Sequence, residues 1–181
     1  MSEDPESLDE GFSEPLDIDE LDANFKFEVA KYPGGDTVLS CFQCANCTII
    51  CPVSSATRIL PHQIIRMTVL GMKEEVLKSN AIWLCSTCFE CNEVCPQGVR
   101  VCDVIFALKN MASAEVAVPI NLKIVGQNIY KFGRIQEIGE FESSEREFSG
   151  LPPLPSVDTD TIREIMRRSK FDKLVEVEGQ Q

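Results

Sequence analysis

Residues 41–52 read CFQCANCTIICP, four cysteines in eleven positions closed by a proline. The same spacing returns at residues 85–96, CSTCFECNEVCP. Cys41, Cys44, Cys47, Cys51 and Pro52 are thus repeated as Cys85, Cys88, Cys91, Cys95 and Pro96, each displaced by 44 residues. Five positions in register twice mark an internal repeat. With nine cysteines in the chain and eight of them clustered this way, metal or redox chemistry is the expectation, not a disulfide framework.

The spacing C-x2-C-x2-C-x3-C-P is that of an iron–sulfur cubane loop. Three thiolates two residues apart wrap one cluster, the turns between them aim backbone N–H groups at its sulfurs, and the fourth cysteine reaches the other cluster. Applied to this chain, one 4Fe-4S cluster takes Cys41, Cys44, Cys47 and Cys95, and the other takes Cys85, Cys88, Cys91 and Cys51. Each quartet is completed by its twin, which staples residues 41–51 onto 85–95, so metal removal is expected to unfold the centre of the protein. Zinc also accepts four thiolates, but its sites come as pairs of C-x2-C separated by a dozen residues or more. Cys102 is read as a buried structural thiol, and His62, the only histidine, as a capping or packing residue. Trp83 is expected to shield a cluster edge from water.

The net charge of -12 argues against nucleic acid and against an anionic membrane surface. Ten Asp or Glu and no Lys or Arg fall among residues 1–25, which predicts a flexible acidic tail. Arg163, Arg167, Arg168, Lys170 and Lys173 gather near the other end and read as a solvated helix face or a docking patch. No secretory signal and no apolar run long enough for a bilayer are visible, so a cytoplasmic location is expected.

The spacing of apolar residues predicts a mostly helical chain. One helix follows Pro61 and runs through Ile64, Ile65, Met67, Leu70, Met72, Val76 and Leu77, with Gly71 as a weak point. A second begins near Asp103 with Val104, Ile105, Leu108, Met111 and Ala112 inward. A third covers 119–132 with Leu122, Val125, Ile129 and Phe132 inward and Gly133 as its stop. Residues 143–157 read as linker because Pro152, Pro153 and Pro155 deny helix and central strand. A last helix starts near Thr161, paired with Glu164 in a capping box. Phe25, Phe27 and Val29 alternate with charged residues, which suggests a short strand. Tyr32-Pro33-Gly34-Gly35-Asp36 is a turn. No dinucleotide fingerprint, phosphate loop or paired nucleophile and base is present, so the chain reads as an electron wire with no active site of its own.

Two such runs separated by a helix resemble the alpha-helical ferredoxin domain. CFQCANCTIICP and WLCSTCFECNEVCP look most like the HdrC family, the C subunits of the soluble heterodisulfide reductases of methanogenic archaea, over residues 36–135. Together with the acidic start and the proline-rich end, this divides the chain into an acidic N-terminal extension at 1–35, the two-cluster domain at 36–135, and a linker with a helical docking extension at 136–181. The resemblance also implies a non-catalytic relay subunit of an oxidoreductase. Electrons would pass from a flavin-bearing, bifurcating A subunit to a B subunit whose non-cubane clusters reduce the CoM-S-S-CoB heterodisulfide in methanogenesis. A hydrogenase or formate dehydrogenase would belong to the larger assembly. Related cluster domains serve succinate or fumarate reductases, glycerol-3-phosphate dehydrogenases and heterodisulfide-reductase-like complexes of sulfur metabolism, and a purely structural cluster protein is a further alternative.

Overall fold

The computed structural model describes residues 18–116 and 118–176. The tail at 1–17, with most of the acidic residues that predict flexibility, falls outside the described residues. The chain divides into two compact units, Met1–Val116 and Ala117–Gln181. Among the described residues there are eleven α-helices, short 3-10 turns and no strand, and no helix is long and apolar enough to cross a membrane.

In the first unit, Phe25–Val29 forms α1, where the alternation of Phe25, Phe27 and Val29 predicts a strand. Phe25 and Val29 are also four residues apart, so a single helical turn puts both on one face. Both are fully buried, while Phe27 is half exposed. A 3-10 turn, Gly35–Ser40, delivers the chain to Cys41. The helices Asn46–Ile49 (α2) and Glu90–Glu93 (α6) each lie inside a cysteine run.

Between the runs, the single predicted helix is broken into Pro61–Leu70 (α3) and Lys73–Lys78 (α4), followed by Ala81–Leu84 (α5). Pro61 occupies the first helical position, and Gln63 Oε1 accepts from the Leu60 N–H at 2.8 Å. Gly71 does more than weaken the run. It ends α3 at φ +88°, its carbonyl accepts from the Asp22 N–H at 2.8 Å, and a Cβ there would lie 2.3 Å from the Asp22 oxygen. Only glycine meets both demands.

The longest helix, Val101–Glu115 (α7), packs against α3, α4, α5 and α6. Its inner face is the expected one, with Val104, Ile105, Leu108, Met111 and Ala112 buried. Phe25, Ile65, Ile82 and Leu108 are fully inside, each contributing about 1.5–3 kcal/mol by leaving water.

The second unit holds Ile120–Phe132 (α8), Glu140–Phe148 (α9), Thr159–Arg168 (α10) and Phe171–Leu174 (α11). Helix α8 stops at Gly133 as expected, with φ +68°. Its contact face differs from the expected one: Leu122 and Val125 are exposed and Gly126 is buried. Val175 fills the space over Gly126, 2.4 Å from where a Cβ would sit, so the missing side chain sets the packing face. Helix α9 lies partly within the predicted linker, because the prolines begin only at Pro152 and do not reach back to residue 148. The capping box at Thr161 is replaced by an Asp158 cap. Its Oδ1 accepts from the N–H groups of Asp160 and Thr161, both at 3.1 Å, and its Oδ2 accepts from the Thr161 hydroxyl at 2.6 Å. Glu164 instead pairs with Arg167 at 3.1 Å and Arg168 at 2.8 Å, and Asp160 pairs with Arg163 at 3.2 Å. Much of the basic cluster is therefore answered on its own helix.

Candidate metal centre

The two cysteine runs adopt one backbone conformation twice. Gln43 and Ala45 have φ of +65° and +63°, and their counterparts 44 residues on, Thr87 and Phe89, have +58° and +63°. None is glycine, and left-handed backbone costs an L-residue roughly 1–2 kcal/mol. Four such residues flanking Cys44 and Cys88 in register show that the loops are held in this shape by their surroundings. Alternating left- and right-handed residues turn successive N–H groups to one side, a concave nest that suits an anionic centre. Exposure repeats too: Cys47 and Cys91 are buried, Cys44 and Cys88 exposed, and the four outer cysteines intermediate.

Each loop is pinned to the helix that follows it. Thr48 Oγ1 accepts from the His62 N–H at 3.3 Å and lies 2.7 Å from His62 Nδ1, in the first turn of α3. At the equivalent place Asn92 Oδ1 accepts from the Cys102 N–H at 2.8 Å, in the first turn of α7. Thr48 and Asn92 therefore do the work of N-caps from a distance. Asn92 Nδ2 also donates to Asp103 at 2.9 Å. Helices α2 and α6 pack on each other, which brings the two loops face to face.

The fold collects the cysteines into two recesses. One, with about 330 Å³ of empty space, is lined by Cys41, Cys44, Cys47 and Cys95 together with Phe42, His62 and Val99. The other, with about 490 Å³, is lined by Cys85, Cys88, Cys91 and Cys51, and by Cys102. Among the described residues no three His, Cys, Asp or Glu side chains close on a point that would hold a single ion. Zinc would need its sulfurs at about 2.3 Å. A quartet of thiols from both runs around each recess matches the ligand set of a 4Fe-4S cubane. Trp83 packs on the core and lines neither recess; Phe42 and Phe89 stand at the recess walls instead.

Residues 37–99, from the 3-10 turn before Cys41 to the residue before Arg100, match the 4Fe-4S dicluster domain family. The C subunit of the H(2):CoB-CoM heterodisulfide,ferredoxin reductase of Methanothermobacter thermautotrophicus is 32% identical over 86% of this chain and 86% of its own. The chain belongs to the HdrC family of heterodisulfide reductase subunits. Other HdrC proteins are the C subunit of the ferredoxin:CoB-CoM heterodisulfide reductase of Methanosarcina mazei, 30% identical over 81% of this chain and 94% of its own, and the C2 subunit of the H(2)/formate:CoB-CoM heterodisulfide,ferredoxin reductase of Methanococcus maripaludis, 29% identical over 88% and 94%. This member of the family carries two 4Fe-4S clusters and serves in electron transfer.

Burial and neighbouring sulfurs keep the inner thiols protonated. Burial foremost, then the nearby Cys41 and Cys44, pushes the Cys47 thiol up to about 11. Burial and then Cys85 and Cys88 do the same to Cys91, also to about 11. Such thiols bind only when a cation replaces the proton. Hydrogen bonds already reach two sulfurs of the first recess: Gln43 Nε2 donates to Cys41 Sγ and the Val99 N–H to Cys95 Sγ, both at 3.2 Å. Two residues gain importance that the sequence hid. Cys102 is buried as expected, yet it lies in the wall of the second recess. Lys109, on the α7 face turned toward α5, donates to the Cys85 carbonyl at 3.1 Å. The registered 44-residue repeat could not have marked either, since neither belongs to it.

Proposed function

We propose that this chain is the relay subunit of a heterodisulfide reductase complex. Its two clusters are held by Cys41, Cys44, Cys47 and Cys95, and by Cys85, Cys88, Cys91 and Cys51. The bound clusters supply one-electron transfer. The chain's own residues hold them, orient them through the left-handed loops, donate to their sulfurs and limit water. The partners are a flavin-bearing, bifurcating A subunit on the donor side and the non-cubane-cluster B subunit that reduces the CoM-S-S-CoB heterodisulfide in methanogenesis. A hydrogenase or formate dehydrogenase belongs to the same assembly.

The observation that carries this reading is the composition of the two recesses: a quartet of thiols from the two cysteine runs lines each, so a cubane in either has every iron met by sulfur from the chain, and no open position remains for a substrate. Their closeness supports it, since α2 packs on α6. The relatives' names support the terminal reaction. They share the CoB-CoM heterodisulfide and vary in donor, from hydrogen to formate to ferredoxin.

The test is anaerobic co-purification of the tagged protein from its native cells, followed by reduction of the complex with hydrogen or formate. A flavoprotein and a Cys-rich protein should accompany the chain, and both cluster spectra should bleach and return on adding the heterodisulfide. Clusters that stay in one oxidation state even under dithionite would refute a relay.

A further inference from the structure

We propose that Cys102 is a hydrogen-bond donor to the Cys85 thiolate, and that with Lys109 it raises the reduction potential of the second cluster. The inference rests on the quartet assignment above and concerns what distinguishes the two sites.

The repeat makes the comparison possible. His62 and Cys102 are each the second residue of the helix after a cysteine run, each with its backbone N–H tied to the preceding loop, through Thr48 and Asn92 respectively. Each therefore lines the recess of the loop that holds it. The two sites share a frame and differ in the group placed there. The His62 ring is engaged by the Thr48 hydroxyl. Cys102 is 1% exposed and lines the same recess as Cys85, among the apolar Ile64, Ala81 and Ile105.

A fifth thiol in a recess already holding a full quartet has no iron left to bind. Its place 44 residues earlier is taken by Arg58, so it stands outside the ligand repeat. Its one S–H is best satisfied on a ligand sulfur, and a donor there offsets negative charge, which favours the reduced cluster. Lys109 acts in the same sense on the same ligand. Its Nζ donates to the Cys85 carbonyl at 3.1 Å and lies 5.6 Å from the Phe106 ring centre, which itself neighbours Phe89 at 6.2 Å. Glu90 and Glu93 oppose it, but both are exposed and screened by solvent. The first recess receives sulfur donors of another kind, Gln43 and the Val99 N–H.

The test is an EPR-monitored redox titration of the full-length, two-cluster protein prepared without air, with each midpoint assigned from single-cluster variants. Cys102→Ala should make the second cluster about tenfold harder to reduce, roughly 59 mV for one electron, with the first cluster unmoved and about eight irons retained per chain. Cys102→Ser, which keeps an O–H donor, should restore most of the shift. Lys109→Gln should move the same cluster in the same direction, and it decides the matter if Cys102→Ala does not fold. Unchanged midpoints in Cys102→Ala and Lys109→Gln overturn the tuning role and leave the quartets standing. Loss of about four irons in Cys102→Ala would make Cys102 a ligand and overturn both.

Discussion

Replacing Cys95 by alanine separates a crossed arrangement from one closed within each half. Cys95 lies in the second run but lines the recess of the first, so Cys95→Ala should remove the first cluster and leave the second. Cys51→Ala should do the reverse. Iron should fall from about eight to about four per chain in each, and the surviving EPR signal should differ between the two variants. The stability cost follows from the chain connectivity. A lone link from Cys47 to Cys95 closes 48 steps, worth about 4 kcal/mol by the loop-entropy relation for cross-links. With the second cluster still joining Cys51 to Cys91, the lost link closes only four steps to Cys51 and four from Cys91 to Cys95. A ring of about eight residues is worth roughly 2.5 kcal/mol. At a slope of about 2 kcal/mol per molar, that moves the urea midpoint of the anaerobic protein down by roughly 1 M. The same ring is opened in Cys51→Ala, so the two losses should match. A Cys95→Ala protein that keeps the signal retained by Cys51→Ala, or that loses only its second cluster, refutes the crossing.

Two further outcomes follow from the loops. Ala45→Val should cost the first cluster much of its iron and lower the urea midpoint, because a branched side chain is strained at φ +63°, whereas Ala45→Gly should be near neutral, relief of about 1 kcal/mol of strain being offset by a freer unfolded chain; equal effects would show that the left-handed turn is not required. Asn92→Ala removes the acceptor for the Cys102 N–H and should destabilise the first unit by about 1 kcal/mol, read as a lowered melting temperature, with Thr48→Val behaving alike at α3; an unchanged melting temperature in both would deny the pinning role.

The ligand candidates, the helical class and the two-cluster cofactor were legible in the cysteine repeat alone, because thiolate spacing is a local property that iron geometry constrains directly. The inner face of α7 was equally legible, since a 3.6-residue period over fifteen residues leaves one solution. Short segments were not. Phe25 to Val29 satisfies a period of two and a helical turn alike, and only burial against α3 and α7 selects the helix. Gly71 and Gly126 act through what packs over them, the Asp22 backbone and Val175, and no property of glycine in a sequence announces its neighbour.

By itself, then, the sequence determined which eight sulfurs are available and that they come in two equivalent sets. Tertiary structure alone decided what surrounds each set. The left-handed turns at Gln43, Ala45, Thr87 and Phe89, the pinning of α3 by Thr48 and of α7 by Asn92, and the approach of Cys102 and Lys109 to Cys85 are not written in the cysteine spacing. Spacing along a chain constrains ligands that are neighbours in sequence, whereas the field at a buried cluster comes from whatever the core packing brings within a few ångströms.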